Sequence, residues 1–242
     1  MQIHPTIGRH TVMGSFAMSL LAMLCSAGCA TVYSSPLANR ISLEPELTEN
    51  VSVIFIEATP DLGNWGKLPQ IAGYFRQSAV ESFYFDPDVH GDAQALASWI
   101  RHERVERGRR VLLVGWSYGL VQALDALKCL ESTNVRVDTL VSVDCFWLNY
   151  HRGEQLQPKN ADRIVLIYRD CAQLPTGFLC PVVHRIKTCN HLAVPGHART
   201  MDVLFRETIR LRQISGNPGP PDIPATPQEN EISFPDLTLV VR

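Results

Sequence analysis

The sequence predicts an α/β fold, a mostly parallel sheet with helices on both faces. Three observations point there. Short, β-branched and almost wholly apolar runs suit strands buried on both faces. Between them lie segments with apolar residues at threes and fours, the spacing of amphipathic helices. The two kinds alternate over residues 51–213, an order that argues for parallel strands with helices packed on each side. The 242 residues leave room for one such domain and its tails. With 45% hydrophobic and only 19% charged residues, a disordered chain is excluded.

The elements follow in order. Val51–Ile56 is the first apolar strand. Leu68, Ile71, Ala72 and Phe75 mark a helix over 68–78, and residues 80–85 form a second strand ended by Asp86-Pro87. Residues 92–107 read as a helix with Leu96, Trp99 and Ile100 on one face, stopped by Gly108. A third strand spans 110–114. Residues 118–130 make a helix whose Val121, Leu124, Leu127 and Leu130 recur at threes. Three more strands are expected at 137–143, 163–168 and 182–186, and a closing helix at 201–211.

The chemistry centres on Gly115-Trp116-Ser117-Tyr118-Gly119, set directly between the third strand and the helix that follows. A GxSxG on a strand-to-helix turn holds its serine on a sharp, strained bend, with the hydroxyl projecting above the sheet. The two glycines remove side chains that would collide with the neighbouring strand and helix. The helix N-terminus points its positive end at developing oxyanion charge. On this motif, and on the strand–helix order across residues 51–212, the chain resembles the α/β-hydrolase superfamily of esterases, lipases and thioesterases. The resemblance implies Ser117 as nucleophile, followed in the chain by an acid and then a histidine after the last strand.

Two histidines occupy that last region, His191 directly after the sixth strand and its loop, and His197 nearer the closing helix. The resemblance favours His191, which precedes the apolar Leu192-Ala193-Val194-Pro195. Two acids compete. Asp144 ends the fourth strand beside the apolar Cys145 and Phe146, and Asp170 follows the fifth. Asp144 is preferred as the more rigid and desolvated, with Asp170 the alternative. The oxyanion hole would use the Tyr118 N–H and a donor from the loop after the first strand, Ala58 or Thr59. Pro60 has no N–H to give, and the His-Gly common in this loop of the family is absent. The implied chemistry is a Ser-His-Asp triad working through an acyl-enzyme, without a cofactor.

The surroundings narrow the substrate. Cys145 to Asp162 is too short for the helical cap that many relatives insert, so a minimal, capless and open site is expected. Trp65, Trp116, Tyr118, Phe146 and Trp147 would wall it, suiting small-molecule or lipid acyl groups. Asp86, Asp88, His90 and Asp92 read as a polar turn and helix cap rather than a cation site. His184 falls within a strand and reads as structural. No metal site is expected: the cysteines form no CxxC pair, and His191 and His197 lack a third ligand. A net charge of −2 gives no basic footprint for nucleic acid.

The termini carry an address and a tail. Arg9 precedes the apolar run Thr11 to Cys25, too short to span a bilayer. Ser26-Ala27-Gly28-Cys29 then resembles the lipobox of bacterial lipoproteins, with Ser26 where that family usually has Leu. The resemblance implies a signal peptide over 1–28, lipidation of Cys29, and a cell-envelope protein. Ala30 in place of an Asp favours the outer membrane, facing the periplasm. A plain signal cut near Ala27 or Ala30, giving a secreted protein, is the alternative. Residues 29–50 read as a tether and 214–242 as a proline-rich tail. Of the five body cysteines, Cys171 with Cys180 and Cys145 with Cys189 are candidate pairs, leaving Cys129 as a buried free thiol.

Overall fold

A computed structural model describes residues 32–58, 64–146 and 156–215. The segment expected as a signal peptide, Cys29, Thr59, Trp147 and the proline-rich stretch beyond residue 215 lie outside the described residues. Six strands, β1 (Val51–Ile56), β2 (Glu81–Phe85), β3 (Arg110–Trp116), β4 (Thr139–Val143), β5 (Ile164–Arg169) and β6 (Val182–Ile186), form one sheet in the order β2-β1-β3-β4-β5-β6. All five pairings are parallel. The chain starts at β1, steps out to β2, and returns on the other side of β1 to build the rest. Strand order therefore reverses between β1 and β3. In open parallel sheets, the crevice above the strand ends at such a switch point is where ligands bind.

Alternation along each strand divides the core in two. In β1, Val53 and Phe55 enter one cluster, and Ile54 and Ile56 the other. In β3, Leu112 and Val114 join the first, and Val111 and Leu113 the second. The first face is covered by α1 (Pro36–Leu43), α2 (Leu68–Gln77) and α5 (Ala198–Ser215). The second is covered by α3 (Ala93–Arg101) and α4 (Gly119–Leu130). The α/β architecture with both faces covered, expected from the alternation, is what the chain adopts. Phe75 of α2 stacks on Phe205 of α5 at 4.0 Å and meets Phe55 edge-on, so aromatic packing unites helix, helix and strand.

Several expectations need correction. The segment assigned to a tether carries α1, whose Ala38 and Ile41 are buried against the first core cluster. Ser35 caps it by accepting the Leu37 N–H, its hydroxyl donates to Asp202 of α5, and Tyr33 N–H bonds Gly196 O at 3.0 Å. Residues 33–43 therefore pack on the body of the fold. The helix expected over 92–107 ends at Arg101 and continues as a π turn, His102–Glu106. That wider turn carries the buried Glu103, which accepts from Ser52 Oγ at 2.5 Å and pairs with Arg109 at 3.1 Å. The closing helix is longer than its apolar pattern, because its first turn is capped by His197 and its last carries Arg212, which bonds Glu46 O at 2.9 Å.

The cysteine assignments also change, since all five body thiols are free. Cys129 is exposed, because α4 turns Leu120, Ala123, Leu127 and Leu130 inward instead of centring on Val121 and Leu124. Cys145 is buried in the second cluster, whereas Cys189 is exposed. Cys171 follows the C-terminal end of β5, but Cys180 precedes the N-terminal end of β6, at the opposite end of the strands. A parallel crossover must run back the length of a strand, here six residues or about 20 Å. That separation rules out pairing Cys171 with Cys180 in this fold.

Candidate active site

Ser117 leaves β3 at the switch point. Its φ is +50°, in the left-handed region that non-glycine residues seldom adopt. The flanking glycines show why the turn can be so tight. A Cβ at Gly115 would lie 2.6 Å from the backbone of Leu120, and one at Gly119 would lie 2.3 Å from Ile56 O. The first glycine lets α4 fold back onto its own strand. The second lets α4 rest on the end of β1. Ser117 N–H donates to Val143 O at 3.0 Å, tying the bend to β4.

Asp144 is the residue after β4, one step past the paired row Trp116 and Val143. Ser117 and Asp144 therefore emerge side by side from adjacent strands. Asp144 also has a positive φ, +46°, and is fully buried. Its backbone N–H donates to Ile167 O at 2.8 Å, fixing the turn against β5. Its Oδ2 lies 2.7 Å from His191 Nδ1 and 2.6 Å from Arg169 Nε. The arginine contact is an ion pair whose Nε–H is not aligned on the carboxylate, while the Arg169 backbone N–H reaches Oδ1 at 3.3 Å. The buried carboxylate is thus met by an imidazole, a guanidinium and a backbone N–H, so its oxygens are not left without partners.

His191 begins a single 3-10 turn, His191–Ala193, opened by Asn190, whose side chain accepts the Leu192 N–H at 3.0 Å. Its ring stacks on Trp116 at 5.2 Å and meets Phe146 edge-on at 5.1 Å. Trp116 is 3% exposed, itself backed by Gly66, where a Cβ would meet the indole at 2.3 Å. The imidazole is thus held over the residue before Ser117, with Nδ1 turned to the carboxylate. Nε2 is the ring nitrogen that does not face Asp144.

The remaining candidates separate clearly. Asp170 is exposed and its carboxylate has no partner among the described residues. His197 Nδ1 accepts the Arg199 N–H at 3.1 Å, so it serves α5 as a cap. Tyr118 is partly exposed, and its backbone N–H bonds no carbonyl among the described residues. Ala58 is less available: its N–H donates at 2.9 Å to Oε1 of its own neighbour Glu57. Glu57 is buried and also accepts from Tyr84 Oη at 3.0 Å. Sequence reasoning missed both Glu57 and Arg169. Each is an ordinary charged residue at a strand end, and only packing reveals what it faces. Ser117 Oγ itself makes no hydrogen bond among the described residues.

The acidic turn acts locally. Asp86 accepts from Asp88 N–H, Asp92 accepts from Gln94 and Ala95 N–H, and His90 Nδ1 accepts from Asp86 N–H. At the N-terminal ends of β3 to β6 lies a cavity of about 430 Å³. Its charged walls are already matched, Arg110 with Asp138 at 2.7 Å and Arg163 with Glu207 at 3.1 Å.

No protein-family model matches the chain, and no curated protein sequence matches it. Among solved structures, the chain is similar to a covalent complex of the NocB thioesterase domain with a fluorophosphonate nocardicin G analogue. The identity is 18% and the TM-score 0.38, over 67% of this chain and 96% of that one. A likeness that slight decides nothing about chemistry. The architecture rests on the sheet itself.

Proposed function

We propose that the protein is a serine hydrolase of carboxylic esters, thioesters or related acyl bonds, built on a minimal, capless α/β-hydrolase fold. The observation that supports this reading is a strained Ser117 on the strand end next to that of the buried Asp144, whose carboxylate pairs with His191. In the proposed reaction His191 Nε2 takes the proton of Ser117 as Oγ bonds the acyl carbon. The carbonyl oxygen becomes an oxyanion facing the Tyr118 N–H at the start of α4. His191 then returns the proton to the leaving alcohol or thiol, and water repeats the steps to release the acid. Asp144 orients the imidazole and balances its charge. The second oxyanion donor is assigned to the loop holding Ala58 and Thr59. Cys29, by the lipobox resemblance, anchors the protein in the bacterial cell envelope, at the outer membrane. The alternative is a secreted protein. Substitution Cys29→Ser moving the protein from the membrane to the soluble fraction would support the anchor.

One observation favours a second reading, a catalytically silent hydrolase-fold binding or scaffold protein. The Ala58 N–H is engaged by Glu57, and Ser117 Oγ makes no bond to His191. Hydrolysis of p-nitrophenyl esters and acyl-thioesters by the purified chain, lost in Ser117→Ala, separates the two. Equal rates in parent and variant would leave the binding reading standing.

A further inference from the structure

Between Asp144 and His191 runs a small frame of loops. Arg169 ends β5 and is paired in register with Ile186, the last residue of β6. Asp170 N–H donates to Ile186 O at 3.0 Å, holding the two strand ends together one residue further on. Arg169 Nη1 then reaches over to Cys189 O at 3.0 Å. Cys171 and Cys189 sit on these two adjoining exits, two residues past β5 and three past β6. Both are exposed.

We propose that Cys171 and Cys189 form a redox-active pair that closes to a disulfide and clasps the His191 loop to the end of β5. Hydrogen bonding with the neighbouring Cys171 thiol holds the Cys189 pKa above its ordinary value. Cys171 and Cys180 lie at opposite ends of the strands and Cys145 is buried, whereas Cys171 and Cys189 share adjoining exposed exits. The step is thiol–disulfide exchange with a low-molecular-weight disulfide. One thiolate attacks it, forming a mixed disulfide and releasing one thiol. The second cysteine displaces the other, so two protein thiols are oxidised and one external disulfide is reduced to two thiols. His191 lies two residues after Cys189, so closing the pair restrains the loop that carries the imidazole.

The test uses the full chain, incubated with oxidised glutathione, alkylated and digested without reduction. Trypsin leaves Cys189 in Thr188–Arg199, and chymotryptic cleavage after Phe178 or Leu179 parts Cys171 from Cys180. The expected product is a Cys171–Cys189 linked peptide, with Cys129 and Cys180 alkylated. The oxidised chain should also lose several degrees of Tm on reduction, a shift absent in Cys171→Ser and in Cys189→Ser. A Cys171–Cys180 link, glutathione adducts alone, or two alkylated thiols would overturn the proposal. Because the readout is a covalent link, its failure is separate from any failure of the hydrolase reading.

Discussion

At Ser117 a positive φ is bought by two glycines that cannot carry even a methyl group. Backbone strain of this kind persists only when the surroundings over-determine it, and it gathers at functional turns. Gly119→Ala should therefore damage both fold and site, since its Cβ would press on Ile56 O. The two acids give a sharper contrast. Asp144 is buried against His191 and Arg169, whereas Asp170 faces solvent. Ester hydrolysis by Asp144→Asn should fall by roughly 10³–10⁴-fold in kcat, the loss expected when the imidazole sits in the wrong tautomer. Asp170→Asn should leave kcat within about twofold, as an exposed carboxylate without a partner. The reverse ranking would transfer the role to Asp170. The local sequence offers one cue between these two strand-end aspartates, the apolar Cys145 and Phe146 that follow Asp144. What separates them is the turn at residue 191, which comes to rest over β3 and β4 and not beside β5.

Among the elements, the buried parallel strands were the most legible, because each needs apolar side chains on both faces. β1, β3 and β5 read as nearly continuous hydrophobic runs and lie within a residue or two of the expected bounds. The edge strand β6 is half-exposed, yet its Val-Val and Ile still mark it. α1 was not legible. Its eight residues include a proline and two buried apolar side chains, and they gain a purpose only against α5, more than 150 residues away. Ile41 tests that contact directly. Ile41→Ala should cost about 2–5 kcal/mol in urea unfolding, as for a large side chain removed from a closed core. A loss below about 0.5 kcal/mol, the range of surface changes, would return the segment to a tether.

Across the whole molecule, the reversal of strand order brings the GxSxG turn to the crevice end of the sheet, while the charged pairs gather at the opposite, N-terminal end of the strands. His184 on β6 links the fold to pH. Burial, with help from Arg199, lowers its pKa below the ordinary 6.5. The folded chain then binds this proton less tightly than the unfolded chain. Its contribution to stability is intact above pH 6.5 and is lost as pH falls below that value. Between about pH 8 and about pH 5, His184→Gln should lose less of its urea midpoint than the parent. Parallel curves would contradict the linkage. The proposed activity is tested most directly at the serine. A fluorophosphonate probe should add one covalent phosphonyl group to the tryptic peptide Val111–Lys128 of the folded parent, on Ser117, and nothing to Ser117→Ala. Folded parent protein that stays unlabelled, or equal labelling of the variant, would contradict the assignment of Ser117 as an activated nucleophile.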